Sequence, residues 1–175
     1  MKRIIILGLC VLMWSDQAMA QTCKKTISIT PNTPTADFTL NGNGTVTNIK
    51  THLTWKRCSE GQTWSGTTCT GTATTYTWQG ALQQAKILNT GNGFATFTDW
   101  RIPNRKELDS IVERQCIAPA INATIFPATV SNWYWSASPH AGNATSAWNV
   151  LFRNGNDFAI NKSSSNYVRV VRGGQ

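Results

Sequence analysis

Three short, strand-like segments in the last third of the chain constrain its fold more than any other feature. They span residues 134–138, 148–155 and 168–173, and each alternates polar with apolar residues or runs apolar over a few positions. Gly, Asn and Ser separate the segments, as is typical of turns between strands. The pattern predicts a compact module with an aromatic core that displays loops, rather than a protein built around a catalytic cleft.

The N-terminus has the features of an export signal. Two basic residues precede an apolar stretch over residues 4–14, and a small-residue cleavage pattern ends at Ala20. The apolar stretch is too short to cross the ~30 Å hydrocarbon core of a membrane, so we expect a cleaved signal over residues 1–20 and no membrane span. A lipoprotein is the weaker alternative, because Leu9 is bulky where the motif before Cys10 normally has a small residue. We therefore expect a secreted, periplasmic or cell-surface protein.

Cysteine usage agrees with export. Four cysteines remain once Cys10 is removed with the signal, an even number that suits disulfide formation in an oxidising compartment. Cys58 and Cys69 flank a loop rich in Gly, Ser and Thr. Of the three pairings that four cysteines allow, we predict this short bridge together with a second one from Cys23 to Cys116. No two of the four have the close spacing of zinc ligands, so we expect no metal site.

The chain is basic but sparsely charged. Its formal net charge is +8, although only 14% of its residues are charged. A positive balance favours anionic partners such as sulfated glycans, lipopolysaccharide phosphates or extracellular DNA. No basic cluster is dense enough to predict a specific nucleic-acid partner, and the alternative is that the charge serves solubility alone.

The order of segments predicts one domain. Residues 21–36 form an N-terminal arm, and residues 37–175 form the domain itself. A hairpin opens the domain, because two strand-like segments flank Asn41-Gly42-Asn43-Gly44, which is a strong turn signal.

Two helices follow the hairpin. Thr77 can cap a helix over residues 78–89, where apolar residues recur at helical spacing. Asn104 and Glu107 resemble a capping box at the start of a second helix, with Leu108, Ile111 and Val112 on its inner face. Hairpin, helices and terminal strands together predict an α+β domain with a largely antiparallel sheet.

Several phrases of the sequence together resemble the Lcl C-terminal domain family. In chain order they are Gly44-Thr45-Val46-Thr47-Asn48, Leu53-Thr54-Trp55, Asp99-Trp100-Arg101-Ile102-Pro103, Glu107-Leu108, Phe126-Pro127, Tyr134-Trp135-Ser136, Ala147-Trp148 and Val168-Arg169-Val170-Val171-Arg172-Gly173. The family is named after the C-terminal part of the Legionella collagen-like adhesin. The resemblance runs from about residue 37 to residue 173. Each phrase alone is a weak indication of the family, but the full set in this order is specific to it.

This resemblance implies a C-type-lectin-like fold, with two helices flanking a mostly antiparallel twisted sheet, and an exported or surface role. The adhesin binds sulfated glycosaminoglycans and is trimeric, but this chain has no Gly-x-y collagen region, so a homo-oligomer is left open. Asn48 stands where the family often has Asp, and His52 where it often has Gly. The calcium-holding Trp-Asn-Asp triplet of sugar-binding lectins is replaced by Trp148-Asn149-Val150, so we expect no calcium-dependent binding and no cofactor.

We expect no enzymatic activity. His52 and His140 are the only histidines, and neither lies in a nucleophile motif. Acidic residues around the second helix, including Asp99 and Glu107, could supply a carboxylate pair for glycoside hydrolysis. Capping and pairing with nearby arginines explain them more simply, so a hydrolase is the least favoured function.

The candidate ligand-binding residues are aromatic, amide and basic side chains in loops. Trp64 lies inside the loop closed by the short disulfide, and alternation places at least one ring of the segment 133–135 near the surface. Exposed rings suit sugars and protein hot spots alike, and amides pair well with sugar hydroxyls. The predicted residues are Trp64, Trp133, Tyr134, Asn143, Asn149, Arg153, Asn156, Lys162 and Asn166.

The sequence therefore predicts an exported, non-catalytic recognition or adhesion module. It would bind an anionic glycan, such as a sulfated glycan, or another cell-surface ligand through its C-terminal loops. The alternative is a structural or assembly subunit of a bacterial surface appendage, in which the same surface contacts another surface protein.

Overall fold

The structure is a computed structural model that describes residues 20–24 and 30–173. The predicted export signal lies outside these residues, apart from Ala20. Within the described part of the chain, no helix has both the length and the apolar character needed to cross a membrane.

Short strands and two α-helices make up the described fold. The strands are β1 (Thr22–Cys23), β2 (Phe38–Leu40), β3 (Thr45–Asn48), β4 (Thr54–Lys56), β5 (Thr63–Trp64), β6 (Cys69–Thr70), β7 (Thr75–Tyr76), β8 (Cys116–Ile117), β9 (Trp133–Pro139), β10 (Ser146–Leu151), β11 (Asn156–Asn161), β12 (Asn166–Tyr167) and β13 (Val171–Arg172). The helices are α1 (Trp78–Leu88) and α2 (Arg105–Asp109), and a 3₁₀ turn over Thr35–Asp37 precedes β2.

Two main sheets hold nine of these thirteen described strands, and the remaining four form the two-stranded pairs β1–β8 and β5–β6. The larger has the order β11-β10-β9-β12-β7, in which only the β12–β9 pair is parallel. The smaller has the order β13-β4-β3-β2 and is antiparallel throughout. The prediction of an α+β domain with mostly antiparallel pairing is confirmed.

The predicted hairpin is the pair β2–β3. Its turn needs a left-handed backbone at two positions, with φ of +78° at Gly42 and +81° at Gly44. Asn43 reinforces the turn, because its side-chain oxygen accepts from the backbone N–H of Thr45 at 3.2 Å. Glycine and asparagine therefore fix the register that pairs Phe38 with Asn48.

Both helices begin where the sequence predicts. The Thr77 hydroxyl accepts from the N–H of Gly80 at 3.2 Å, and Asn104 and Glu107 form a complete capping box. The second helix is shorter than its apolar pattern suggested. It ends at Asp109 because the chain turns there, and Val112 then forms an isolated bridge with Ile121.

The alternation along β9 divides the core in two. Tyr134 faces one cluster, where it packs with Leu108 of α2 and Val150 of β10. Trp135 faces the other cluster, with Ala81 of α1 and Ala147 of β10. Full burial of one large side chain stabilises the fold by about 2–3 kcal/mol relative to exposure, so the aromatic residues dominate both clusters.

Residues 168–173 contain two arginines, Arg169 and Arg172, that have different structural roles. Arg169 is fully buried and donates to the carbonyls of Lys56 and Arg57 at 3.2 and 2.7 Å and to the Thr129 hydroxyl at 2.7 Å. Burial lowers the pKa of this guanidinium. Arg172 instead faces outward and donates to the Asp99 carboxylate at 2.7 Å. The buried arginine thus ties the end of the chain to the segment after β4.

The structure accommodates one of the two departures noted in the sequence, at Asn48, and places the other, His52, in a strained backbone conformation. The Asn48 side-chain oxygen accepts from the backbone N–H groups of Lys50 and Thr51 at 2.9 and 3.0 Å, so an amide caps this turn without a carboxylate. His52 has φ of +57°, a conformation that favours glycine. The histidine therefore carries backbone strain that the usual residue would avoid.

Both predicted disulfides are present. Cys58 pairs with Cys69 across the loop that holds β5 and β6, and Cys23 pairs with Cys116 where β1 meets β8. The second bridge fastens the described part of the N-terminal arm to the domain.

Candidate functional site

An open cleft with a volume of about 780 Å³ lies between α2 and the β10–β11 hairpin. Arg105 and Lys106 line it from the helix, and Trp148, Asn156 and Asp157 line it from the hairpin. The cleft is therefore assembled from segments about 50 residues apart in the chain, so its chemistry depends on how the helix meets the hairpin.

The hairpin is held in place at its turn. Six residues of β10 pair in unbroken register with β11, from Ser146 opposite Asn161 to Leu151 opposite Asn156. Gly155 closes the turn with φ of +80°, and a Cβ atom at this position would come within 2.5 Å of the Val112 side chain. Only glycine lets the turn approach the core this closely.

Arg105 anchors the helix side of the cleft. Its Nε donates to the Asp157 carboxylate, and its guanidinium carbon lies 3.9 Å from the centre of the Trp148 ring. The ring of His140 is a second neighbour of that indole, with 5.3 Å between ring centres. The backbone N–H of Arg105 also donates to the Ser138 hydroxyl at 3.0 Å, which fixes the start of α2 beside β9.

Positive charge exceeds negative charge around the cleft. Arg105, Lys106 and Arg114 are the cations, and Asp109 and Asp157 are the carboxylates. Arg114 pairs with Asp109 at 2.7 Å in an exposed ion pair, whereas the exposed Lys106 side chain has no ion pair or hydrogen bond to the described residues. An anionic group can therefore be held at Lys106 without first breaking an internal ion pair.

Three of the predicted site residues lie together on the hairpin and its neighbour. Asn156 is exposed and lines the cleft, and Arg153 is exposed in the hairpin turn. Trp133 is half-buried on the other side of the sheet, where it meets Phe158 edge to face with 5.7 Å between ring centres. Phe158 and Trp148 also line the cleft, so the hairpin contributes both polar and aromatic side chains to it.

Three other predicted site residues are interior, and their assignment as surface contacts is corrected. The Tyr134 hydroxyl contacts the Ser59 hydroxyl at 2.9 Å, and Tyr134 and Asn149 are fully buried. The amide of Asn149 donates to the Ala147 carbonyl and accepts from the amide of Asn166, which is also buried. The two asparagines thus pair with each other, and the Tyr134 hydroxyl pairs with Ser59 and accepts from the N–H of Val130, so none of the three can reach a ligand unless the fold opens.

The remaining predicted residues are engaged within the protein. Trp64 is half-buried beneath the Arg57 guanidinium, 4.0 Å from its ring centre. The exposed Asn143 caps a turn, since its side-chain oxygen accepts from the N–H of Thr145 at 3.0 Å. Lys162 donates to the Ala144 carbonyl at 2.7 Å. None of these three lines the cleft.

Most of the cleft residues were missed by sequence reasoning. Arg105 and Lys106 follow a correctly predicted capping residue, and the capping box itself implies that the first turn of α2 is near the surface. That signal could have marked both cations as accessible. The approach of Arg105 to Asp157 joins residues 52 positions apart and leaves no local signal in the sequence.

A second groove runs between α1 and the segment that leads into α2. Its volume is about 610 Å³, and Leu82, Trp100 and Ile102 contribute apolar surface to it. Lys86 and Arg101 also line it, but the Arg101 guanidinium is already bound to Glu107 through two hydrogen bonds of 2.7 and 2.8 Å. Like the cleft, this groove is lined by one more cation than carboxylate, so it differs from the cleft mainly in its more apolar lining.

The acidic residues considered for catalysis are bound to arginines. A hydrogen bond from Arg172 lowers the pKa of the Asp99 carboxyl. Glu107 also has a lowered pKa, because hydrogen bonds from Arg101 and from the Asn104 backbone outweigh the effect of burial. Over residues 20–24 and 30–173, no group of three or more His, Cys, Asp and Glu side chains is placed to hold a metal ion.

Comparison with known proteins gives one family. No curated protein sequence matches the chain significantly. The family model described as the Lcl C-terminal domain matches residues 44–172, which include both sheets from β3 onward, both helices and the whole cleft. The chain therefore belongs to the Lcl C-terminal domain family.

Proposed function

We propose that this protein is an exported, non-catalytic recognition module with a C-type-lectin-like fold that binds an anionic glycan. Membership of a family named after an adhesin supports an adhesion-related role. The observation that carries the proposal is the cleft between α2 and the β10–β11 hairpin, which combines a volume of about 780 Å³ with an excess of positive charge.

The side chains of the cleft suit a sulfated or carboxylated sugar. The ammonium group of Lys106 would bind a sulfate or carboxylate directly, as charge-assisted hydrogen bonds favour. Arg105, held by Asp157 and by the Trp148 ring, stays in position and adds positive potential without a further ordering cost. The exposed amide of Asn156 can donate to a sugar hydroxyl. A polymer that carries both anionic and hydroxyl groups fits this combination best.

The proposed site differs in part from the one expected from sequence. The hairpin between the last strands still contributes Asn156, with Arg153 at its tip. The helix α2 contributes two of the three cations that line the cleft, so the ligand would rest between the helix and the hairpin rather than on the C-terminal loops alone.

Ion pairing of the carboxylates supports a non-catalytic role. A general acid in glycoside hydrolysis needs a raised pKa so that it is protonated at neutral pH. The pKa of Asp99 is lowered instead, and Asp157 is bound to Arg105. Neither carboxyl group suits that step.

A glycan array tests the proposal, with the oxidised protein purified from the periplasm of an expression host. Sulfated polysaccharides should be included, and the array should be run both with calcium and with a chelator. We expect binding to sulfated glycans that survives chelation and weakens with added salt, because salt screens exposed charges. A blank array would reject the proposal, and binding that requires calcium would contradict a site built on cations.

Paired variants test the location of the site. The double variant Lys106→Gln, Arg114→Gln removes two cations of the cleft, and we expect it to weaken binding at least about tenfold. The double variant Lys50→Gln, Lys86→Gln is the matched control, because it also removes one ion-paired cation and one that has no ion pair to the described residues, both exposed and outside the cleft. Equal losses in both variants would show that net charge, and not the cleft, determines binding.

The second candidate is an assembly subunit of a surface appendage. The observation that favours it is the aromatic pair of Trp133 and Phe158, since Phe158 is 56% exposed. An exposed aromatic ring is unfavourable in water and suits a protein contact. Assembly through such apolar surface should persist or strengthen at high salt, which separates it from charge-driven glycan binding.

A further inference from the structure

β11 is an edge strand, and it is the longest one in the described fold. Its six residues pair with β10 on one side, and no described strand pairs on the other. The other edges of the two main sheets are β7 and β13, with two residues each, and β2, with three. β11 is thus the one edge of these sheets with the usual length of a strand.

The hydrogen-bond pattern shows which backbone groups of β11 face outward. The N–H of Lys162 donates to the Thr145 carbonyl at 2.8 Å, which makes these two residues a hydrogen-bonded pair. Such pairs alternate with non-bonded pairs along an antiparallel ladder. The N–H and C=O groups of Asp157, Ala159 and Asn161 therefore point away from β10. Within the described chain, those of Asp157 and Ala159 have no hydrogen-bond partner in another segment, whereas the Asn161 carbonyl accepts one bond from the N–H of Ser164 at 2.9 Å and keeps a second lone pair.

This edge lacks the usual protection against pairing with another chain. Proteins commonly block exposed edges with Lys, Pro or a bulge, and β11 contains none of these. Its one charged residue, Asp157, is turned toward Arg105 on the cleft side. Ala159 is exposed and Phe158 is 56% exposed, so backbone and apolar surface are both accessible along the strand.

We propose that a second copy of this chain pairs with β11 in antiparallel orientation, about a twofold axis at Ala159. The strand is self-complementary in this register, as an isologous contact requires. Asp157 lies opposite Asn161 of the other copy, so no two like charges face each other. Phe158 lies opposite Ile160 in a non-bonded pair, where cross-strand side chains approach most closely. The two five-stranded sheets join into one continuous sheet.

The contact is modest in area and independent of glycan binding. A single pair of short strands buries less than the ~1,200 Å² of a typical stable complex, so the dimer depends on protein concentration.

Asp157 lines the cleft and belongs to the same strand, so the clefts of the two copies lie near the axis. A polymeric ligand could then occupy both clefts, and its avidity would exceed the affinity of one cleft.

Sedimentation velocity of the oxidised protein, over roughly 1 µM to 1 mM, tests the proposal without any ligand. We expect a monomer–dimer equilibrium that Ala159→Pro shifts at least about tenfold toward monomer. Proline removes the N–H of Ala159, which points away from β10, so the ladder within the chain is preserved and the variant should fold. Phe158→Asn should weaken the dimer as well, through lost contact with Ile160.

Leu40→Asn is the matched control. Leu40 is 53% exposed on the edge strand β2, so the change removes a comparable apolar surface from a different sheet. Loss of the dimer in Ala159→Pro and Phe158→Asn, but not in Leu40→Asn, supports the proposal. A monomer at every concentration, a trimer, or a dimer that all three variants leave intact would overturn it.

Discussion

Glu107 makes several contacts that depend on its charge. Its carboxylate accepts two hydrogen bonds from Arg101, at 2.7 and 2.8 Å, and one from the Asn104 backbone at 2.7 Å. These bonds hold the pKa of Glu107 below its usual value even though burial acts to raise it. The stabilisation is therefore complete above the pKa of the unfolded chain and is lost as pH falls through the lower pKa of the folded chain.

We predict that Glu107→Gln reduces the free energy of unfolding by about 1–2 kcal/mol at pH 7 and by much less near pH 2. Glutamine can still complete the capping box, so the change isolates the charge. Urea unfolding from about pH 7 down to pH 2 measures the effect. A loss that does not change with pH would contradict this account.

Asp109→Asn is the control for that measurement. Asp109 pairs with Arg114 at 2.7 Å, but both side chains are largely exposed, at 41% and 55%. Exposed ion pairs contribute little, so we expect a change below about 0.5 kcal/mol in the same titration.

The role of a single residue could be predicted from the sequence when its contacts lie within a few positions of it in the chain. The capping roles of Thr77, Asn104 and Glu107 follow from neighbours within three positions and were found from the sequence. The burial of Tyr134 and Asn149 was not. Alternation shows that neighbouring residues face opposite sides of a strand, but it does not show which sides other elements will cover.

At the scale of elements, the β10–β11 hairpin depends on one glycine. We predict that Gly155→Ala reduces the free energy of unfolding by roughly 2–3 kcal/mol, from the strain of its φ of +80° and from the clash with Val112. The variant should also weaken glycan binding, because the turn carries the hairpin side of the cleft. Thermal unfolding and glycan binding measure the two effects.

Gly42→Ala separates the two causes. Gly42 has nearly the same φ, +78°, but no atom within 4 Å of an added Cβ. We expect it to lose only about 1 kcal/mol, from backbone strain alone. Equal losses at the two glycines would exclude the contact with Val112 as a cause.

Elements with strong local signals were predicted well. The β2–β3 hairpin has its Asn-Gly turn, and α1 has its cap and helical spacing. The end of α2 was not predicted, because residues 110–112 continue a helical apolar pattern while their tertiary contacts pull the chain into a turn and a bridge. Packing overrides propensity where a helix is this short.

At the scale of the whole molecule, the sequence predicted the class and the disulfides but not the cleft. The net charge, the number of cysteines and the order of the segments can be read directly from the sequence, because none of them depends on contacts in the folded protein. The division into two sheets, and the approach of Arg105 to Asp157, depend on contacts between distant segments. Such contacts have no signature in a single sequence, which is why the candidate site moved from the C-terminal loops to the cleft.

The two disulfides close loops of very different length, and this difference should govern global stability. Cys23 and Cys116 are 93 positions apart, and Cys58 and Cys69 are 11 apart. A cross-link stabilises the fold mainly by restricting the unfolded chain, and a longer loop is restricted more. We predict that Cys23→Ala, Cys116→Ala costs on the order of 4–5 kcal/mol, and that Cys58→Ala, Cys69→Ala costs about 3 kcal/mol. Guanidinium unfolding of both double variants, under the conditions used for the oxidised protein, measures the order. If removal of the short bridge costs more, its contribution comes from the packing of the fully buried Cys58 in the native state and not from chain entropy.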